Sequence, residues 1–214
     1  MDRETAVDRL ERIVDRVDGD TMPVPVREVW AFGDVALGLD PVDRLDVYLT
    51  KDVLLRGDRE AAREFEAEYG IKGVGSSVRA DWATANPDRV RASDNGYAAP
   101  EKCLAAELVD DDDPIHLEVC NASFEDNVTQ RLQGALARDA YEEVLDPRGV
   151  CLWVDGRRDS EAFERLREAA FAMPTLPRAL EMLGAETAAA DEAASVLKTR
   201  RADQEGSSVR GDIV

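Results

Sequence analysis

Val29-Trp30-Ala31-Phe32-Gly33-Asp34-Val35-Ala36-Leu37-Gly38, and after it Arg44-Leu45-Asp46-Val47-Tyr48-Leu49-Thr50, decide how this chain is read. Val26 to Phe32 reads as a buried strand that breaks at Gly33. From Arg44 the pattern alternates: Leu45, Val47 and Leu49 face one way, and Arg44, Asp46, Tyr48 and Thr50 the other. Two carboxylates on one face of that second strand could hold divalent cations. The strand holds a single carboxylate, Asp46, because Arg44 occupies the other position.

Upstream, Val7, Leu10, Ile13, Val14 and Val17 recur at helical spacing between Thr5 and Val17, so an amphipathic helix precedes the first strand. Gly19 ends it, and the prolines of Pro23-Val24-Pro25 hold the chain extended. Downstream, a helix is expected over 58–69, then a glycine-serine turn at 73–77 that lacks the spacing of a phosphate-binding loop. Residues 80–100 show weak periodicity, with Trp82 and Tyr97 as anchors, and read as an irregular segment or a mobile cover over a site. A short helix follows over Pro100 to Leu108, and the acidic run Asp110 to Asp113 solvates a loop.

The third strand, Ile115 to Cys120, sets Ile115, Leu117 and Val119 on one face and His116, Glu118 and Cys120 on the other. Residues two apart on a strand sit about 6–7 Å apart, too far for neighbours to share a tetrahedral zinc. Pairing of Glu118 with an arginine is the simpler reading. Helices over Asp126 to Ala140 and Asp159 to Phe171 flank a continuously apolar strand, Val150 to Val154. A proline-started helix ending at Gly184 and an Ala-rich helix over Glu186 to Lys198 complete the ordered part. The fold class is therefore α+β: a small mixed sheet of about four strands flanked by helices, with a helical C-terminal part. The expected divisions are a domain over 1–156, a helical extension over 157–202 packed on it, and a disordered tail over 203–214. Arg210-Gly211-Asp212, in that tail, reads as chance.

Composition narrows the setting. Asp+Glu 46 against Lys+Arg 27 gives a net charge of -19, and lysine occurs only at 51, 72, 102 and 198. Such a chain repels itself in dilute buffer, whereas in roughly molar salt the Debye length of about 3 Å removes the repulsion. The pattern is similar to that of cytosolic proteins of salt-accumulating archaea. A chain without a basic stripe gains nothing from counterion release, which argues against non-specific nucleic-acid binding. The N-terminus opens into a charged helix and no stretch approaches a membrane span, so a cytoplasmic location without membrane association is expected. Cys103, Cys120 and Cys151 lack the spacing of a disulfide framework or a zinc ribbon.

At Phe32-Gly33-Asp34, Ala36, Gly38 and Asp46 the first half of the chain resembles the minimal nucleotidyltransferase superfamily. The resemblance implies a phosphate-side turn at Gly33 and Asp34, a metal-binding carboxylate at Asp46, and a third carboxylate for which Glu118 is placed. Two positions depart from it: Asp34 stands where that superfamily has serine, and Arg44 where it has its first metal-binding aspartate. A guanidinium repels a cation and forms a charge-assisted pair with Asp46 or Glu118 instead. The leading expectation is a non-catalytic nucleotidyltransferase-like domain that binds a nucleotide or a protein partner through Gly33, Asp34 and Arg44, without a cofactor. One alternative is an active nucleotidyltransferase holding magnesium on Asp34, Asp46 and Glu118. The other is a structural or interaction protein on an unrelated α+β scaffold.

Overall fold

The computed structural model describes residues 1–19, 22, 24–52, 59, 60, 63, 78, 79, 97, 98, 100–109, 114–203 and 208–211. Asp2 starts the first helix, α1 (Arg3–Gly19), by accepting the Thr5 backbone N–H at 2.7 Å on its side chain. The apolar stripe foreseen on this helix, Val7, Leu10, Ile13 and Val14, is buried to within 1%.

A six-stranded mixed sheet forms the centre. Its strands are β1 (Val26–Phe32), β2 (Leu45–Lys51), β5 (Ile115–Cys120), β6 (Val150–Val154), β7 (Arg157–Arg158) and β8 (Ser208–Arg210), in the order β7-β6-β1-β2-β5-β8. β1 runs antiparallel to β2 and β6, and β5 runs parallel to β2 and β8. A separate two-stranded ladder joins β3 (Val78–Arg79) to β4 (Tyr97–Ala98). The helices described in full are α1, α2 (Pro100–Leu108), α3 (Phe124–Arg138), α4 (Ser160–Arg167), α5 (Leu176–Met182) and α6 (Thr187–Ala202). A 3₁₀ turn covers Tyr141–Glu143.

The alternation in β2 and β5 separates two layers. Leu45, Val47 and Leu49, with Ile115, Leu117 and Val119, pack against α1, α2 and α4 in the main core. Arg9 ties α1 to α2 by donating to the Leu108 carbonyl, and Arg3 ties it to α4 by donating to that of Leu166, both at 2.8 Å. The opposite face, with Asp46, Tyr48 and Thr50 beside His116, Glu118 and Cys120, is covered as well, so every residue of β2 and β5 is buried. α3 seals part of it. Phe124 stacks on Trp30 at 4.7 Å and meets Tyr48 edge-on at 5.2 Å, and Asn127 donates to the Tyr48 hydroxyl at 2.9 Å.

The four expected sheet strands are present, and two short edge strands extend the sheet. β7 closes on β6 through Asp155 and Gly156, both at positive φ, in a two-residue hairpin loop of the kind Asp-Gly favours. β8 corrects the expectation of a wholly disordered tail: Ser208–Arg210 pair with His116, Leu117 and Glu118. Three residues in a polar context carry no strand periodicity, and the strand is held by polar contacts with β5. α4 also stops earlier than expected, because Ala169 turns to φ 53 behind Arg167. Of the expected helix over 58–69 only 59, 60 and 63 are described, and they are helical; the turn at 73–77, the acidic loop at 110–113 and most of 80–100 lie outside the described residues. Among the described residues, no helix is long and apolar enough to cross a membrane.

Candidate functional site

The turn after β1 brings two aspartates to one guanidinium. Gly33 sits at φ 69, and a Cβ there would lie 2.1 Å from Asp46 Oδ2 and 2.6 Å from Arg201 Nη2. Only glycine both takes that conformation and leaves room for the pair. Asp34 Oδ2 accepts the backbone N–H groups of Asp43 at 3.1 Å and Arg44 at 3.4 Å, which closes the loop onto the start of β2. Its Oδ1 lies 2.9 Å from Arg201 Nη2.

Asp46 is fully buried, and both of its oxygens meet cations. Arg44 reaches Oδ1 through Nε at 2.8 Å and Nη2 at 2.6 Å, while Arg201 Nη2 reaches Oδ2 at 2.6 Å. Burial pushes the Asp46 carboxyl above its ordinary value, against the pull of Arg201 and then Arg44. The pair foreseen between Arg44 and Asp46 is present. A second guanidinium, from the far end of the sequence, joins it.

Glu118 lies two residues along β5 from His116, whose strand partner is Asp46. His116 Nε2 is 3.1 Å from Glu118 Oε1, and Arg131 Nη2 is 2.8 Å from Oε2. Burial favours the neutral acid, but the hydrogen bonds from His116 and Arg131 outweigh it and bring the carboxyl to about 2. A carboxylate only accepts, so Nε2 carries the proton toward Glu118. In the neutral ring, Nδ1 then accepts from the Ser208 hydroxyl 2.7 Å away. Arg131 also reaches Cys120 Sγ at 3.5 Å, so the polar residues of β5 are tied to α3 and β8 and do not converge on one point.

No group of three or more His, Cys, Asp or Glu side chains able to hold a metal ion occurs among the described residues. Arg201 stands between Asp34 and Asp46, and Arg131 with His116 occupies Glu118. Guanidinium groups therefore lie on the very oxygens that a cation would use.

Beside this network opens a cavity of about 470 Å³, within the roughly 300–1,000 Å³ of small-molecule sites. Nine apolar residues line it, among them Phe32, Leu145, Leu176 and Leu197, together with His116, the carboxylates Asp34, Glu118 and Asp146, and the cations Arg44, Arg148, Lys198, Arg200, Arg201 and Arg210. Each of the three carboxylates is already bonded to a guanidinium. Asp146 takes Arg148 on both oxygens, at 2.9 and 2.7 Å, and Asp34 and Glu118 are held as described. Arg200 donates to the neutral Glu142 carbonyl, Arg210 comes no closer than 3.8 Å to Glu118, and Lys198 has no carboxylate at ion-pair distance among the described residues. In a chain of net charge -19, this hollow carries a surplus of positive charge.

Of the residues singled out from sequence, Gly33, Asp34, Arg44 and Asp46 share one network, and Glu118 lies in the adjoining one. Sequence reading missed Arg131, Arg148, Arg201 and Arg210. The one available signal was the basic cluster Lys198-Thr199-Arg200-Arg201 in so acidic a chain, and its place at a helix end offers the ordinary explanation of dipole compensation.

Over residues 2–214 the chain belongs to a family described as a family of unknown function (DUF7095). No curated protein and no solved structure matches it.

Proposed function

For this family member we propose a binding domain of nucleotidyltransferase-like build that takes an anionic ligand directly on guanidinium groups and transfers nothing. The observation that carries the reading is the closure of Asp46, whose two oxygens are bonded to Arg44 and Arg201. Two-metal transfer needs carboxylates free to hold cations that neutralise the triphosphate and activate the attacking hydroxyl. Here the positive charge is already part of the protein. A phosphate or carboxylate entering the cavity finds the cationic environment that magnesium would otherwise create, from groups that form bidentate bonds to such anions.

The closed site leaves no evident route to activating a hydroxyl. Asp46 is doubly paired, and Glu118, at about 2, is a poor proton acceptor near neutral pH. The setting in salt-rich cytosol rests on the acidic composition and the scarcity of lysine. Bidentate contacts inside a partly enclosed cavity survive molar salt better than surface charge pairs do.

The test is calorimetric titration with nucleoside triphosphates in molar potassium chloride, with and without magnesium, alongside an assay for pyrophosphate release. Binding that is indifferent to magnesium, with no pyrophosphate, is the expected result. Magnesium-dependent binding with turnover would restore the active alternative on Asp34, Asp46 and Glu118. Absence of binding under both conditions would leave a structural or interaction role.

A further inference from the structure

The cavity's chemistry is split in an unusual way. Its described lining has apolar side chains, charged ones and His116, whose two ring nitrogens are already engaged by Glu118 and Ser208, but no Ser, Thr, Asn, Gln, Tyr or Trp. A sugar or nucleobase exposes many hydroxyl and amide edges, and a site selective for them supplies neutral donors and acceptors to match. The three carboxylates of the lining cannot serve, because arginine already holds each of them. What the wall offers is aliphatic surface from Leu145, Leu176, Pro177 and Leu197, with the half-exposed Leu39 in the lining too. The surplus cations Lys198, Arg200 and Arg210 lie in the same lining.

We propose that the ligand of this cavity is an amphipathic anion: a phosphate or carboxylate head bound by Lys198, Arg200 and Arg210, with a hydrocarbon body of acyl or isoprenoid kind against the leucines. This rests on the reading of the cavity as an anion-binding site and narrows the ligand within it. Two conditions of the site fit such an occupant. The half-buried Arg210 is pushed below its ordinary value by burial and by the nearby guanidinium groups of Arg131 and Arg200, with Glu118 pulling the other way, and an anionic head would relieve that repulsion. In high salt, burial of hydrocarbon also keeps its strength while exposed charge contacts are screened, so the body supplies affinity that the head alone lacks.

The experiment is calorimetric titration of the full chain in molar potassium chloride with inorganic phosphate, butyl, hexyl and octyl phosphate, octanoate, and adenosine monophosphate. Affinity should rise about two- to four-fold for each added methylene, and adenosine monophosphate should bind no more tightly than inorganic phosphate. Octanoate against octyl phosphate tells whether the head is a carboxylate or a phosphate. Leu39→Gln, at an exposed position that leaves folding intact, should weaken octyl phosphate while leaving inorganic phosphate unchanged, and Arg210→Gln should weaken both. Flat affinity along the alkyl series, or a preference for the nucleotide, overturns the amphipathic assignment while the anion site stands. If no member of the panel binds, both readings fall together.

Discussion

Removing the Arg44 side chain tests what two guanidinium groups do for one buried carboxylate. Asp46 is fully buried, with Arg44 at 2.6 and 2.8 Å on one oxygen and Arg201 at 2.6 Å on the other. Deleting one partner of a buried pair costs roughly 3–5 kcal/mol when the charge left behind has nothing else. In Arg44→Ala the Arg201 contact remains, and Arg44 itself is 11% exposed, so about half of that, ~2 kcal/mol, is expected. For a chain of this size each kcal/mol moves the melting midpoint by about 2–4 °C, so thermal circular dichroism in molar potassium chloride should show a fall of about 4–8 °C. Adding Asp46→Asn replaces the stranded charge by a neutral group of the same shape, and the double variant should recover a large part of the loss. The pH dependence has a definite sign. Burial already raises the Asp46 carboxyl, and loss of Arg44 raises it further, so the folded variant binds the proton more readily than the unfolded chain, whose value is near 3.8. The penalty is therefore full at neutral pH and shrinks on acidification. A midpoint within about 1 °C of the parent, or a double variant less stable than Arg44→Ala alone, would refute the ion-pair account.

Gly33→Ala should destabilise by about 3 kcal/mol or more in chemical denaturation, since it both strains a left-handed turn and drives a methyl into the Asp46–Arg201 contact. An unchanged denaturation midpoint would mean that the two side chains are not packed over the turn. Glu118, depressed from 4.5 to about 2, contributes stability that is fully present above about pH 4.5 and is lost as pH falls toward 2, on the order of 3 kcal/mol. Glu118→Gln should flatten that acid limb, and an identical limb in the variant would assign the acid transition to other carboxylates. Dialysis from molar salt to below about 0.2 M lengthens the screening distance and should loosen a chain of charge -19. A constant far-UV spectrum through that range would sink the salt-adaptation reading.

The parts of the fold legible in the sequence are those whose neighbours lie nearby along the chain. α1, β1, β2, β5 and β6 announce themselves by period and by punctuation at Gly19 and Gly33, and their bounds differ from expectation by two residues at most. The pair of Arg44 with Asp46 was legible for the same reason, since residues two apart on a strand share a face. Arg201 was not, because the contact with Asp46 spans 155 positions and nothing in Lys198 to Arg201 says which face of the sheet that helix end will reach. The alternation of β2 normally marks a strand with one wet side. Here α3 and the end of α6 cover that side, so the polar residues became an interior network of ion pairs.

The long reach of the Asp46–Arg201 contact also sets an order of events during synthesis. Translation at about 5–20 residues per second leaves roughly 8–30 s between the appearance of Asp46 and that of Arg201, and Arg210 emerges later still. Throughout that interval Arg44, two residues away, is the one guanidinium of the two that has been made. Arg44 is thus in place beside the carboxylate before its distant partner has been made, and a chain stalled before residue 201 would lack both Arg201 and the edge strand β8.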